Sequence, residues 1–294
     1  MSGYEREFSF RTLYPKPYTP NPHTQSGGPT GTLKFIGLGL FDPKDMSLRA
    51  LEEARGCDYI FAEFYTAVQG GASARELESQ IGKSVTVLRR EQVESGDVLL
   101  EAARRSDACL LVVGDPFSAT THVELRIRAG KEGIRTMVVH GASALTAVPG
   151  LLGLQHYKFG RTTTLGFPQK GFEPESPYDM IGDNLSRGLH TLVLLDIQAE
   201  AGRLMTAPEG LGILARLESR KGGGILGEDA LVCVVARAGS PSPVVRAGDL
   251  GRLRLDDFGP PHHSIVVPGK LHFMEAEALV ELAGAPARLV KMHE

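Results

Sequence analysis

From Leu33 onward the chain alternates short apolar runs with stretches of helical period, and this rhythm constrains its fold more than any single motif. Leu33–Gly39, Tyr59–Ala62, Val85–Leu88, Cys109–Val113 and Thr136–His140 read as strands. They are nearly continuous in apolar residues rather than alternating. Such strands are buried on both faces, which is the signature of a parallel sheet with helices on either side. Between them, Ser47 is placed to cap a helix through about Gly56, with Leu48, Leu51 and Ala54 on one face. Gln92–Arg104 reads as a further helix, and Thr121-x-x-Glu124 has the form of a capping box opening another to Ala129.

The pattern changes near Leu151–Phe159. Beyond it the strand candidates are Thr162–Phe167, Thr191–Leu195, Leu231–Ala236 and Ser264–Val267. The helices are Ser176–Arg187, Pro208–Arg220 and Leu271–Ala283, with Thr206 as a cap before Pro208. Fewer helices per strand predict a second α/β unit with a mixed sheet. The expected organisation is therefore an arm over residues 1–31, an N-terminal α/β domain over 32–150 and a C-terminal α/β domain over 151–294. The arm holds five prolines among its polar residues and no periodic apolar face, so it reads as an extended arm or a disordered tail. Tyr4, Phe8, Phe10, Tyr14 and Tyr18 give it aromatic groups with which to dock on a surface.

Composition excludes several classes. A net charge of -3 without a basic block argues against nucleic-acid binding. No apolar stretch approaches the roughly 20 residues that span a bilayer, and the proline-rich start has no leader-like apolar run. Cys57, Cys109 and Cys233 stand far apart in or beside apolar runs, as buried small hydrophobes of a reducing cytoplasm do.

The chemistry-bearing candidates cluster at strand ends, where open α/β folds place their ligands. Gly37-Leu38-Gly39 follows the first strand, but Asp42 stands where a dinucleotide fingerprint needs its third glycine, and Pro43 disfavours an immediate helix. Gly114-Asp115-Pro116 ends the fourth strand. Asp115 is either a turn-forming side chain or a carboxylate aimed at a ligand. His122, in the cap region of the next helix, is a candidate base, but a histidine there reads more readily as surface polar. His262 and His263 are adjacent on an extended segment and point to opposite faces, so they do not chelate one metal, and no metal site is expected. Arg237-Ala238-Gly239-Ser240 ends another strand, as a ligand contact or a simple turn. Neither G-x-S-x-G nor a phosphate-binding P-loop is present. These features describe an α/β protein with a cleft lined by strand ends, and no catalytic dyad stands out.

Longer segments carry a resemblance. Phe35-Ile36-Gly37-Leu38-Gly39-Leu40-Phe41-Asp42 resembles the opening strand of the tetrapyrrole-methylase-like methyltransferases, and within them the diphthine synthases. Asp58–Thr66, Gly114–Pro116 with Ala119–His122, Glu124–Ala129, Tyr157–Gly160, Arg187–Leu192, Leu195–Ile197, Ala236–Ser240 and Val267–His272 continue it. Gly-Asp-Pro is common to the wider group, whereas Ala62-Glu63-Phe64-Tyr65-Thr66 and Ala119–Ala129 are more specific. The resemblance implies two α/β domains with S-adenosylmethionine between them, in a cytoplasmic homodimer. It implies methylation of the amino group of a modified histidine on elongation factor 2, with S-adenosylhomocysteine as product. Carried over position by position, the cofactor contacts fall on Leu40, Asp115, Ser118, Ser143, Ala144, Leu195, Ala236 and His263. Ser118 replaces a residue that is often apolar in relatives. No catalytic residue is implied. The alternatives are a methyltransferase of tetrapyrroles such as precorrins, and a non-catalytic module that binds the translation factor.

Overall fold

The computed structural model describes residues 31–64, 74–198 and 201–291. The arm over 1–31 lies outside them but for Gly31. Eleven elements make up the first part: β1 (Thr32–Gly37), α1 (Leu48–Gly56), β2 (Tyr59–Glu63), α2 (Ala74–Ile81), β3 (Thr86–Leu88), α3 (Arg90–Ser95), α4 (Asp97–Arg105), β4 (Ala108–Val112), α5 (Val123–Lys131), β5 (Arg135–Val139) and α6 (Ala144–Leu152). The strands form one sheet in the order β3-β2-β4-β1-β5, parallel throughout.

The inner strands β1, β2 and β4 are buried on both faces, as their near-continuous apolar composition requires, while the edge strands β3 and β5 are partly exposed. Along β4, Ala108, Leu110 and Val112 enter one core cluster with Leu99 and Leu100 of α4 and Leu125 of α5. Cys109 and Leu111 enter the other, with Ala50 and Ala54 of α1 and Leu77 of α2. Lys34 is the polar exception in β1. Its ammonium is buried and paired with Glu53 at 3.0 Å and Asp107 at 3.3 Å.

The remaining elements are β6 (Thr163–Leu165), α7 (Ser176–Ser186), β7 (Thr191–Leu195), β8 (Ile197–Gln198), β9 (Arg203–Leu204), α8 (Ala207–Lys221), β10 (Leu231–Ala236), β11 (Val244–Asp249), α9 (Leu250–Leu253), β12 (His263–Val267), α10 (Phe273–Ala283) and α11 (Arg288–Lys291). The second sheet runs β11-β10-β12-β7-β6. It is mixed: β6 and β7 pair in parallel, and the other pairs are antiparallel. One face packs on α7 and α8, and the other on α6 and α10. Helix α6 spans residue 150, and its Val148 and Leu152 pack into the second sheet's cluster. The α/β class, with one parallel and one mixed sheet, is as expected.

Several local expectations need correction. The helix expected over Gln92–Arg104 is two helices, because Gly96 takes a left-handed conformation at φ 67° and ends α3. Leu125 packs where a Cβ on Gly96 would stand. Leu48 is exposed; the buried stripe of α1 runs through Ala50 and Ala54 instead. The Thr121–Glu124 capping box does not form, since α5 opens at Val123 after His122 with no side-chain cap. Strand β11 was not legible: Arg246, Gly248 and Asp249 interrupt its apolar pattern, which an edge strand tolerates. By contrast, Ser47 caps α1 through the Ala50 N–H, and Thr206 and Glu209 form a reciprocal capping box on α8. All three cysteines are buried.

Candidate active site

Three parallel strands, β4, β1 and β5, lie side by side and end together. The chain leaves β1 toward β2 on one side and leaves β4 toward β5 on the other. Such a reversal opens a crevice at the carboxyl ends of the strands. The ends approach closely because they carry glycine. A Cβ on Gly141 would stand 2.2 Å from the Gly114 carbonyl oxygen, and one on Gly37 would stand 2.5 Å from the Gly141 nitrogen. Gly39 and Gly114 exchange backbone hydrogen bonds across the gap, at 2.7 and 3.3 Å. Gly37-x-Gly39 therefore lets strand ends meet one another.

This junction places Asp115 at the crevice. Its Oδ1 accepts from the Phe117 N–H at 3.0 Å and from the Ser118 hydroxyl at 3.3 Å. Its Oδ2 pairs with Nδ1 of His140 at 2.7 Å. Burial pushes the carboxyl upward, but the Phe117 N–H and the His140 ring outweigh it and hold Asp115 below the usual carboxylate range. Asp115 is thus ionised at neutral pH. It forms an Asx turn, and the same carboxylate lines the crevice. Ser118 adds a donor to it where an apolar residue would give none.

The loop after Asp115 is anchored from below. The Thr120 hydroxyl donates to the Pro116 carbonyl at 2.6 Å, and Nδ1–H of His122 donates to the same oxygen at 3.0 Å. Phe117 packs on Phe35 with ring centroids 5.2 Å apart. His122 is 2% exposed, which overturns its reading as a surface residue. Its Nε2 lies 3.8 Å from Oε1 of the fully buried Glu63. The Pro116 carbonyl that draws the His122 ring inward lies six residues back in a folded turn, so its pull was not visible in the linear pattern.

The second sheet supplies the opposite wall. Its contribution comes from the end of β7 and the start of β12, which are neighbours because Ser264 pairs with Leu194. The cavity between the walls holds about 340 Å³, within the usual range for small-molecule sites. Of the residues singled out from sequence, Leu40, Asp115, Ser118, Ser143, Ala144, Leu195 and His263 all line it. Ala236 does not: it sits opposite His263 in the β10–β12 ladder, with its side chain in the core. His263 lines the cavity without a free ring nitrogen. Its Nδ1 accepts from the Ala207 N–H at 3.0 Å and its Nε2–H donates to the Pro260 carbonyl at 3.1 Å. Burial lowers its pKa, in keeping with that neutral tautomer. Only its backbone and ring edge are available to a ligand.

Leu40 is held by Asp45, whose Oδ2 accepts from the Leu40 and Phe41 N–H groups at 3.1 and 2.7 Å. Ser143 caps α6 through the Leu145 N–H at 3.2 Å, so the N-terminus of that helix faces the cavity. Ala238 lines the wall too, while Arg237 ties the turn to the Phe258 and Pro260 carbonyls at 2.6 and 2.8 Å. Arg90, Thr164, Asp196 and His262 also line the cavity, and none was named as a site residue from sequence. Among the described residues no group of three or more His, Cys, Asp or Glu is arranged to hold a metal ion.

The sequence pattern of the tetrapyrrole (corrin/porphyrin) methylases matches residues 32–254. The chain belongs to that family. Within this methylase family it is similar to the diphthine synthases. It is 48% identical over 259 residues to a diphthine synthase of Methanothermobacter thermautotrophicus, covering 88% of this chain and 98% of that one. The identity to a diphthine synthase of Methanocaldococcus jannaschii is 49% over 250 residues, covering 84% and 97%. A crystal structure of diphthine synthase superposes with a TM-score of 0.81 at 38% identity, over 89% of this chain and 99% of that one. This methylase thus shares the sequence of those two relatives, and the framework of that crystal structure, over nearly their whole length.

Proposed function

We propose that this methylase is an S-adenosylmethionine-dependent diphthine synthase, methylating the amino group of the modified histidine side chain of elongation factor 2. One observation carries the assignment of the site: seven positions from both sheets, named from sequence, line one cavity. The diphthine synthase names of its relatives support this acceptor and do not favour a tetrapyrrole substrate or a non-catalytic module.

The donor set fits the cofactor. The amino-acid end of S-adenosylmethionine carries a carboxylate, which suits the N-terminus of α6 at Ser143 and Ala144. Its cationic groups suit the ionised Asp115, and its adenosine suits the apolar wall of Leu40, Leu194, Leu195 and Val235. When bound, the group supplies a sulfonium methyl that passes to nitrogen in a single in-line displacement. The residues of this chain have to align donor and acceptor and exclude water, tasks that rigid strand ends perform well. The reading includes two α/β units meeting at the cavity, with the exchange of sheets at α6. It also includes a homodimer acting in the cytoplasm. Among the described residues no helix is long and apolar enough to cross a membrane.

Incubation with labelled S-adenosylmethionine and elongation factor 2 bearing the precursor side chain is expected to label the factor; an unlabelled factor would sink the assignment. Asp115→Ala is expected to weaken S-adenosylhomocysteine binding about 10- to 100-fold, the worth of a charged hydrogen bond. Calorimetry that returned an unchanged affinity would remove Asp115 from the cofactor site.

A further inference from the structure

The acceptor amine raises a question the cofactor contacts leave open. An alkylammonium has no lone pair, so it must lose a proton before each methyl transfer. We propose that His140, oriented by Asp115, is the base that takes this proton. The proposal rests on the reading of the function given above and adds a residue to it.

The geometry is that of a carboxylate–imidazole pair. His140 follows β5 and Asp115 follows β4, on either side of β1, so the parallel sheet itself brings them together. Nδ1 of His140 lies 2.7 Å from Oδ2 of Asp115. An ionised carboxylate only accepts, so Nδ1 carries a hydrogen, and in the neutral ring that hydrogen leaves the lone pair on Nε2. Phe117 N–H and Ser118 Oγ hold the other carboxylate oxygen, so Asp115 cannot swing away. Gly141 binds the chain beside His140 to the strand junction. The arrangement orients one ring nitrogen for proton transfer while the partner carboxylate stabilises the imidazolium that forms.

The surroundings agree. Asp115 lines the cavity, as does Ser143, three residues after His140; the His140 ring stands outside that lining, bonded to Asp115 from the solvent side. The His140 side chain is 75% exposed, within reach of a side chain presented by a large protein. In the step, an ammonium N–H bond breaks and an Nε2–H bond forms. The amine's freed electron pair then makes the N–CH3 bond as the S–CH3 bond breaks, with its electrons staying on sulfur. The exposed imidazolium returns its proton to water, ready for a further round. Among the described residues the hydrogen-bond partner of the His140 ring is Asp115, while Arg90, Asp196, His262 and His263 stand on the cavity walls.

The test compares the full-length enzyme with His140→Gln, using elongation factor 2 bearing the precursor side chain. S-adenosylhomocysteine affinity is expected to stay unchanged while kcat at pH 7 falls about 100-fold, the lower end of general-base contributions. The variant's rate should then climb about tenfold per pH unit as hydroxide replaces the lost base, and imidazole should partly restore His140→Ala. Equal rates and pH profiles for the two enzymes would overturn the proposal. So would a loss of S-adenosylhomocysteine binding in the variant, which would make His140 a cofactor contact. No transfer by the unaltered enzyme would instead overturn the reading of the function.

Discussion

Glu275→Gln is expected to cost about 3–5 kcal/mol of stability, although the residue lies away from the cavity. Its carboxylate is fully buried in α10 and accepts four hydrogen bonds. Oε1 takes the Gln155 N–H at 2.9 Å and Nε2–H of His190 at 3.1 Å; Oε2 takes the His272 N–H at 2.8 Å and the Lys158 ammonium. His190 in turn accepts the Gly269 N–H on Nδ1 at 2.9 Å. Glutamine keeps one acceptor oxygen and turns the other into a donor, leaving two buried donors facing an N–H2 group. The site thus joins the Gly188–Thr191 and Val267–His272 segments, both part of the family resemblance, into one structural knot.

The knot also sets an acid limit. Burial pushes the Glu275 carboxyl upward, but the His272 N–H, Lys158, the Gln155 N–H and His190 outweigh it and hold it at about 2, against an ordinary 4.5. A carboxyl lowered in the folded state stabilises above its unfolded value, and that contribution is lost as pH falls through the folded one. About 3 kcal/mol should therefore vanish between pH 4.5 and 2, at ~1.36 kcal/mol per pKa unit. His190 is lowered by burial, so its contribution is present above its ordinary 6.5 and is lost at lower pH. In urea titrations the unaltered protein should lose more stability from pH 6 to pH 3 than Glu275→Gln does. Equal midpoints for the two proteins at pH 7 would show that the knot contributes little.

Gly141→Ala is expected to damage both stability and the site. The added Cβ would lie 2.2 Å from the Gly114 carbonyl oxygen and 3.0 Å from both the Cα and the carbonyl carbon of Gly37, and all three atoms are backbone. No rotamer relieves such a contact, so the ends of β1, β4 and β5 must part, at a cost of about 1–3 kcal/mol or more. Parting them shifts Asp115 relative to His140 and to the far wall, and misplacement of that order costs about 100-fold in rate. Gly130→Ala is the matched control. Gly130 lies exposed within α5 with open space where a Cβ would stand, so it should gain about 0.5–1 kcal/mol in helix propensity. A Gly141→Ala enzyme with the unaltered melting temperature and transfer rate would contradict the strand-junction account.

How far the sequence reached is clearest in particular residues. The strands came through because burial on both faces demands unbroken apolar composition, as in Cys109–Val113, whose observed span differs by one residue at each end. Ser47 and Thr206 were legible as caps because capping is a local interaction. The two-helix break at Gly96, the burial of His122 and the edge strand β11 were not. Each depends on what another part of the chain presents: Leu125 beside Gly96, the Pro116 carbonyl beside His122, and β10 beside β11.

By itself, then, the sequence determined the α/β class, the succession of the core strands along the chain and most of the strand-end positions that line the cavity. Its longer segments also identified the family. Only the tertiary structure decided which strand ends meet, and hence that Asp115 faces His140 rather than standing alone. It likewise decided that His263 spends both ring nitrogens on the backbone, and that Ala236 lies behind the cavity wall. The physical reason is range. Hydrophobic period and capping act within a few residues of chain, whereas strand order, close glycine contacts and paired polar groups form between segments far apart in sequence.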